Sequence, residues 1–129
     1  MRKITILAVI LLMIAGAAQT QAQIQYPWGA AEVQSVTATN DSVQFTVSNQ
    51  VSYVYSTIDS NTVVKATVGS EIRNGAILYV ELAASGVPNR TVTFSGLLAP
   101  STTFTAAKTR ILTFVYRSGY KLVSTAQIN

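Results

Sequence analysis

Ser42-Val43-Gln44-Phe45-Thr46-Val47-Ser48 alternates apolar and polar side chains without a break. A period of two puts Val43, Phe45 and Val47 on one face of an extended chain and the hydroxyls and amide on the other, the pattern of a half-buried β-strand. Thr91-Val92-Thr93-Phe94-Ser95 and Val64-Lys65-Ala66-Thr67-Val68 repeat it. After residue 22, Val and Thr each occur 14 times and Ser 12 times. β-Branched side chains crowd a helical turn but fit a pleated surface. No dozen-residue window shows the i, i+3, i+4, i+7 stripe of an amphipathic helix. The sequence therefore reads as all-β from residue 33 onward.

Turn chemistry divides this region into short runs. Strands are predicted near 33–39, 42–48, 51–57, 62–68, 76–83, 90–95, 102–106, 110–117 and 120–125. They are separated by Asn40-Asp41, Asn49-Gln50, Asp59-Ser60-Asn61, Asn74-Gly75, Ser85-Gly86-Val87-Pro88-Asn89, Ala99-Pro100-Ser101 and Ser118-Gly119. Asn, Asp and Gly tolerate the positive φ of tight hairpin turns. Ala76-Ile77-Leu78-Tyr79-Val80-Glu81-Leu82 and Ile111-Leu112-Thr113-Phe114-Val115-Tyr116 are apolar on both faces, as central strands would be. Eight or nine short strands predict an antiparallel β-sandwich or jelly roll for residues 33–129, with a small barrel as the second architecture. Strands of about six residues are too short for an outer-membrane barrel, whose strands need about 9–11.

Residues 1–22 have the three parts of a secretory signal peptide: Arg2-Lys3, an apolar run from Ile4 to Ala18, and Thr20 and Ala22 as small residues before a cleavage point. The competing reading, a membrane anchor, requires about 20 apolar residues and a flanking positive stop. The run here has 15, and no such cluster follows. Cleavage after Ala22 would leave 107 residues, without a membrane span, to be secreted or held in the cell envelope. The short n-region and Gln/Ala-rich junction resemble bacterial export signals. Residues 23–32, with Tyr26-Pro27-Trp28-Gly29, are too broken for a regular strand and read as a strap or linker.

The chain contains no His and no Cys. Those zeros exclude His-dependent triads, Cys nucleophiles, disulfides, haem and Fe–S sites, and zinc sites with His or Cys ligands. No phosphate-cradling glycine loop or EF-hand loop occurs, so no cofactor and no metal are expected. The carboxylates Glu32, Asp41, Asp59, Glu71 and Glu81 show no spacing that singles out the facing pair a glycosidase uses. Ser118-Gly119-Tyr120-Lys121 has the letters of the S-x-x-K acyl-enzyme motif, but that chemistry needs a helix where this segment joins two β-runs. No catalytic residue is assigned, and the chain is expected not to be an enzyme.

Two features remain as binding candidates. Tyr26, Trp28, Tyr116 and Tyr120 are aromatics that could stack on a cell-surface glycan, the competing reading being that they cover the domain's own core. The charge is also split. Residues 23–81 hold five acids and two bases, whereas residues 82–129 hold no acid and five bases: Arg90, Lys108, Arg110, Arg117 and Lys121. Such a division supports cross-strand pairing within one domain, head-to-tail packing of identical copies, or attachment to an anionic cell surface. Five dispersed bases do not form a phosphate track, so nucleic acid is not an expected partner.

From Thr62 to Ser124 the chain resembles a known group of domains. Gly69-Ser70-Glu71-Ile72-Arg73-Asn74-Gly75-Ala76-Ile77-Leu78-Tyr79-Val80 is followed by Thr91-Val92-Thr93-Phe94-Ser95-Gly96. Then come Leu112-Thr113-Phe114-Val115-Tyr116 and Gly119-Tyr120-Lys121-Leu122-Val123. This order is similar to that of the small β-domains of phage tail-fibre and other virion surface proteins, and of some secreted bacterial proteins. The resemblance implies a structural or adhesive role and supplies no catalytic residue. Fibre domains do not normally carry a signal peptide, so an exported relative fits better than a virion part.

Overall fold

Alternation of apolar and polar residues becomes alternation of burial in the computed structural model, which describes residues 32–86 and 88–128. The expected leader and all of the 23–32 strap but Glu32, with Tyr26 and Trp28, lie outside the described residues; Glu32 begins a strand rather than ending a strap. Ten strands and no helix are present among them: β1 (Glu32–Ser35), β2 (Ser42–Val47), β3 (Val51–Ile58), β4 (Thr62–Val68), β5 (Ile77–Ala84), β6 (Arg90–Ser95), β7 (Leu97–Leu98), β8 (Thr102–Phe104), β9 (Thr109–Tyr116) and β10 (Tyr120–Ile128). Each of the nine runs read from the sequence overlaps one strand, although β1, β3, β5, β9 and β10 extend beyond the expected bounds. Leu97–Leu98 is the additional one, too short to alternate.

The strands form two mixed sheets, a six-stranded one in the order β1-β3-β5-β9-β10-β7 and a four-stranded one in the order β2-β4-β6-β8. Up to β8 the chain crosses from one sheet to the other at every connection. The first four strands therefore each pair in parallel with the strand two places on: β1 with β3, β2 with β4, β3 with β5 and β4 with β6; β7 also pairs in parallel, with β10. Antiparallel pairing is confined to β5–β9, β9–β10 and β6–β8. The expected antiparallel sheet is thus corrected to a mixed one. The reason is visible at Asn40-Asp41, where both residues have positive φ, 50° and 56°, and Thr39 and Ser42 exchange both backbone hydrogen bonds. The turn is a tight two-residue hairpin, but it is one rung long. Beyond it β2 turns its apolar side chains towards the other sheet and pairs with β4.

Both inner faces feed one core. Val43, Phe45, Val47, Val64, Val92 and Phe104 come from the smaller sheet, and Val54, Ile58, Leu78, Val80, Leu82, Leu112, Phe114 and Tyr120 from the larger. The strands apolar on both faces, β5 and β9, are the two in the middle of the six-stranded sheet. Their outward residues Ile77, Tyr79, Thr113 and Val115 are half-buried. The outer face of the smaller sheet carries exposed Gln44, Thr46, Lys65, Thr67, Thr91, Thr93 and Thr103. No helix among the described residues is long and apolar enough to cross a membrane.

Candidate functional site

β1 stops at Ser35 while its neighbour β3 continues to Ile58. The last bond between them runs from the Val36 amide to the Tyr55 carbonyl, 3.0 Å. The chain then leaves for the smaller sheet, and its departure opens a hollow of about 370 Å³ lined by Ser35, Val36, Thr37, Ala38, Tyr55, Ser56, Thr57, Asp59 and Ser85. Tyr55 is 41% exposed, with its ring centroid 6.2 Å from that of Tyr53. Ser85 is fixed by its amide and hydroxyl, both donating to the Ile58 carbonyl, at 2.9 and 3.3 Å. Asp59 is exposed. Ser56, only 6% exposed, has a hydroxyl with no hydrogen-bond partner among the described residues. A phenol face, a carboxylate acceptor and several hydroxyls suit a hydroxylated ring, with its C–H face on Tyr55 and its hydroxyls bonded to the walls. Tyr55 sits in the strand phase of Tyr53 and Thr57, which the sequence could have marked as outward-facing.

The structure places Tyr116 and Tyr120 differently from exposed stacking platforms. They pack edge to face, centroids 5.2 Å apart, at the base of the β9–β10 hairpin. Tyr116 is half-buried and Tyr120 wholly buried. The bulk of the core explains this: Tyr120 is the largest of the fully buried side chains and fills the end of the six-stranded sheet. Its hydroxyl finds no partner among the described residues. Burial first, and the neighbouring Tyr116 second, push its pKa up to about 12.

A test of this follows directly. Tyr120→Phe removes a buried, unpaired hydroxyl and is expected to raise stability by about 1 kcal/mol. In the native protein the folded pKa lies above the unfolded value of 10, so the folded state holds the proton longer. Stability is therefore fully present below pH 10 and declines from pH 10 to 12. Denaturant midpoints measured across that range should fall more steeply for the native protein than for Tyr120→Phe.

The five bases do not form one patch. Arg90, paired across strands with Phe104, and Arg110, whose guanidinium carbon lies 5.2 Å from the Phe104 ring centre, share one end of the domain with Lys108. Arg110 also donates to Gln127, 3.3 Å. Arg117 and Lys121 lie at the far end of β9 and β10, about 20 Å away at the usual strand rise. With Val115, Leu122 and Val123 they line a second hollow of about 460 Å³.

The carboxylates are likewise dispersed. Glu32 accepts from Gln34, Ser48 and Asn49 at the β1 edge. Asp41 accepts from Ser60, and Glu81 accepts from Tyr53 on the outer face of the larger sheet. Glu71 sits beside Ser70 in the β4–β5 connection. Among the described residues no three acidic side chains converge where they could hold a metal ion. No protein-family model matches the sequence, and no curated protein matches it.

Proposed function

We propose that this chain is an exported, non-enzymatic β-sandwich acting as a structural or adhesive surface module that associates with itself, of the kind its resemblance to fibre and secreted β-domains suggests. The observation that carries the reading is the six-stranded sheet, which ends among the described residues in two unpaired edges. These edges are β1 and β7, and β7 covers only two of the nine residues of β10, so the rest of β10 is open on its outer side. An open sheet edge presents unpaired main-chain donors and acceptors to which another strand can add. The split of charge between the two halves of the sequence supports association between copies. The test is expression of the full chain in a bacterium with an outer surface accessible to protease. The expected product is processed, with Gln23 as its new N-terminus, and is degraded when intact cells are treated. Unprocessed protein protected inside the cell would overturn the reading.

The hollow beside Tyr55 favours a second reading, that of a carbohydrate-binding module, now resting on Tyr55, Asp59 and Ser56. A panel of neutral oligosaccharides should shift the amide resonances of residues 35–38 and 55–59. Tyr55→Ala and Asp59→Asn should each weaken that binding by tenfold or more, equivalent to about 1.4 kcal/mol. Shifts that persist unchanged in both variants would dispose of this site.

A further inference from the structure

We propose that the open edge of β10 receives the β1 strand of a second copy of this chain, in parallel, so that copies join head to tail into one continuous sheet. The inference rests on the reading of the chain as a self-associating module and names the two surfaces that meet. β7 pairs with β10 only at Tyr120 and Lys121. From Leu122 to Ile128 the outer side of the strand has no partner among the described residues, and the segment contains no charge, no proline and no glycine. Val123 and Ile128 are 59% and 46% exposed. Edge strands are ordinarily guarded by Lys, Pro, shortness or bulges. Here the one such device, a register shift between Leu122 and Ser124, falls at the start of the open stretch, and pairing with β9 is regular after it.

The occupant follows from direction, register and charge. β1 is the opposite edge of the same sheet and is paired only with β3 among the described residues. It runs parallel to β3 and β5, and β10, two antiparallel steps beyond β5, runs the same way. Lateral repetition of the molecule therefore brings β1 onto β10 in the parallel sense already used by β7. One row across the sheet runs Glu32, Ser52, Leu78, Phe114, Leu122, and another Ser35, Tyr55, Glu81, Ile111, Ala126. An incoming Glu32–Ser35 thus falls beside Leu122 to Ala126, the stretch β7 leaves open. Side-chain phase is kept, with Ser35 and Ala126 both outward and Gln34 and Thr125 both inward.

Charge separates this arrangement from a two-fold one. The β1–β3 side of the sheet carries Glu32 at one end and Asp59 at the other. The β9–β10 side carries Arg117 and Lys121 at the first end and Lys108 and Arg110 at the second. Head-to-tail joining sets acid beside base at both ends. A β10–β10 dimer would set base against base. An interface between two different edges does not close on itself, so it propagates.

Sedimentation velocity of the full-length purified protein tests this. The native protein should show species above the monomer that grow with concentration and shrink with added salt. Ala126→Lys blocks the β10 edge and Ser35→Lys the β1 edge. Both positions are exposed, and Ser124→Lys and Val33→Lys serve as replacements should either variant melt early. Each variant alone should lose every species above the monomer. Their equimolar mixture should recover a dimer and stop there, because each supplies the edge the other lacks. A native protein monomeric at every concentration and ionic strength overturns the proposal. So does assembly that survives Ser35→Lys but not Ala126→Lys, which would mean β10 pairs with β10. A monomer that is still processed and surface-exposed sinks the pairing alone. An assembling protein retained unprocessed inside the cell sinks the surface role alone.

Discussion

Gly96→Ala is expected to lower the stability of the fold by at least about 3 kcal/mol. Gly96 is the one residue between β6 and β7 and carries the chain from the smaller sheet to the edge of the larger, at φ +76°. A methyl group built there would overlap the Ala66 carbonyl oxygen, a backbone atom of β4 that cannot swing aside. Left-handed backbone alone costs a non-glycine residue about 1 kcal/mol or more. The overlap adds the cost of separating β4 from the β6–β7 corner. Together these should reach at least about 3 kcal/mol, a large part of the 5–15 kcal/mol that holds a domain of this size. Chemical denaturation of the two proteins decides it: a midpoint within experimental error of the native one would show that the corner yields.

Phe114→Ala is the second large effect. Phe114 is fully buried near the centre of β9, opposite Leu78 on β5 and Leu122 on β10, and it meets Phe94 of the other sheet edge to face with centroids 6.0 Å apart. It therefore touches three strands and both sheets. Truncation removes the transfer energy of a phenyl ring and leaves a cavity that strands hydrogen-bonded on both sides of β9 cannot collapse to fill. A loss of about 3–5 kcal/mol is expected. Phe114→Leu should recover more than half of it, since volume rather than aromaticity is what the position requires. Urea unfolding of the three proteins measures both numbers.

The strands were legible in the sequence because burial here has a period of two, and Val43, Phe45, Val47 or Leu78, Val80, Leu82 announce which face is inward. Their partners were not. Alternation says that Val47 points into a core, but Val68 of a parallel neighbour and a residue of a returning hairpin would satisfy it equally well. Turn residues deepened the ambiguity, since Asn40-Asp41 makes a true hairpin turn and still leads to a strand in the other sheet. The central positions of β5 and β9 could be read because their side chains are apolar on both faces, which only a strand flanked on both sides tolerates well. Burial of the aromatics could not. Strand phase sets Tyr116 with Leu112 and Phe114 and Tyr55 with Tyr53 and Thr57, but how far each ring is covered depends on the packing of the β9–β10 hairpin against the end of the sheet. The hollow beside Tyr55 was unreadable for a related reason, since it exists only where β1 ends before β3 does.

Winding back and forth between sheets also governs when this polypeptide can fold. Each parallel pair joins residues far apart along the chain: Glu32 to Ser52, Ser42 to Val63, Val51 to Ile77 and Thr62 to Val92. Loops of that length close at an entropic cost before any contact repays it, so formation is slow compared with a meander of local hairpins. Among the described residues the long local pairing is that of β9 with β10, which a short turn joins.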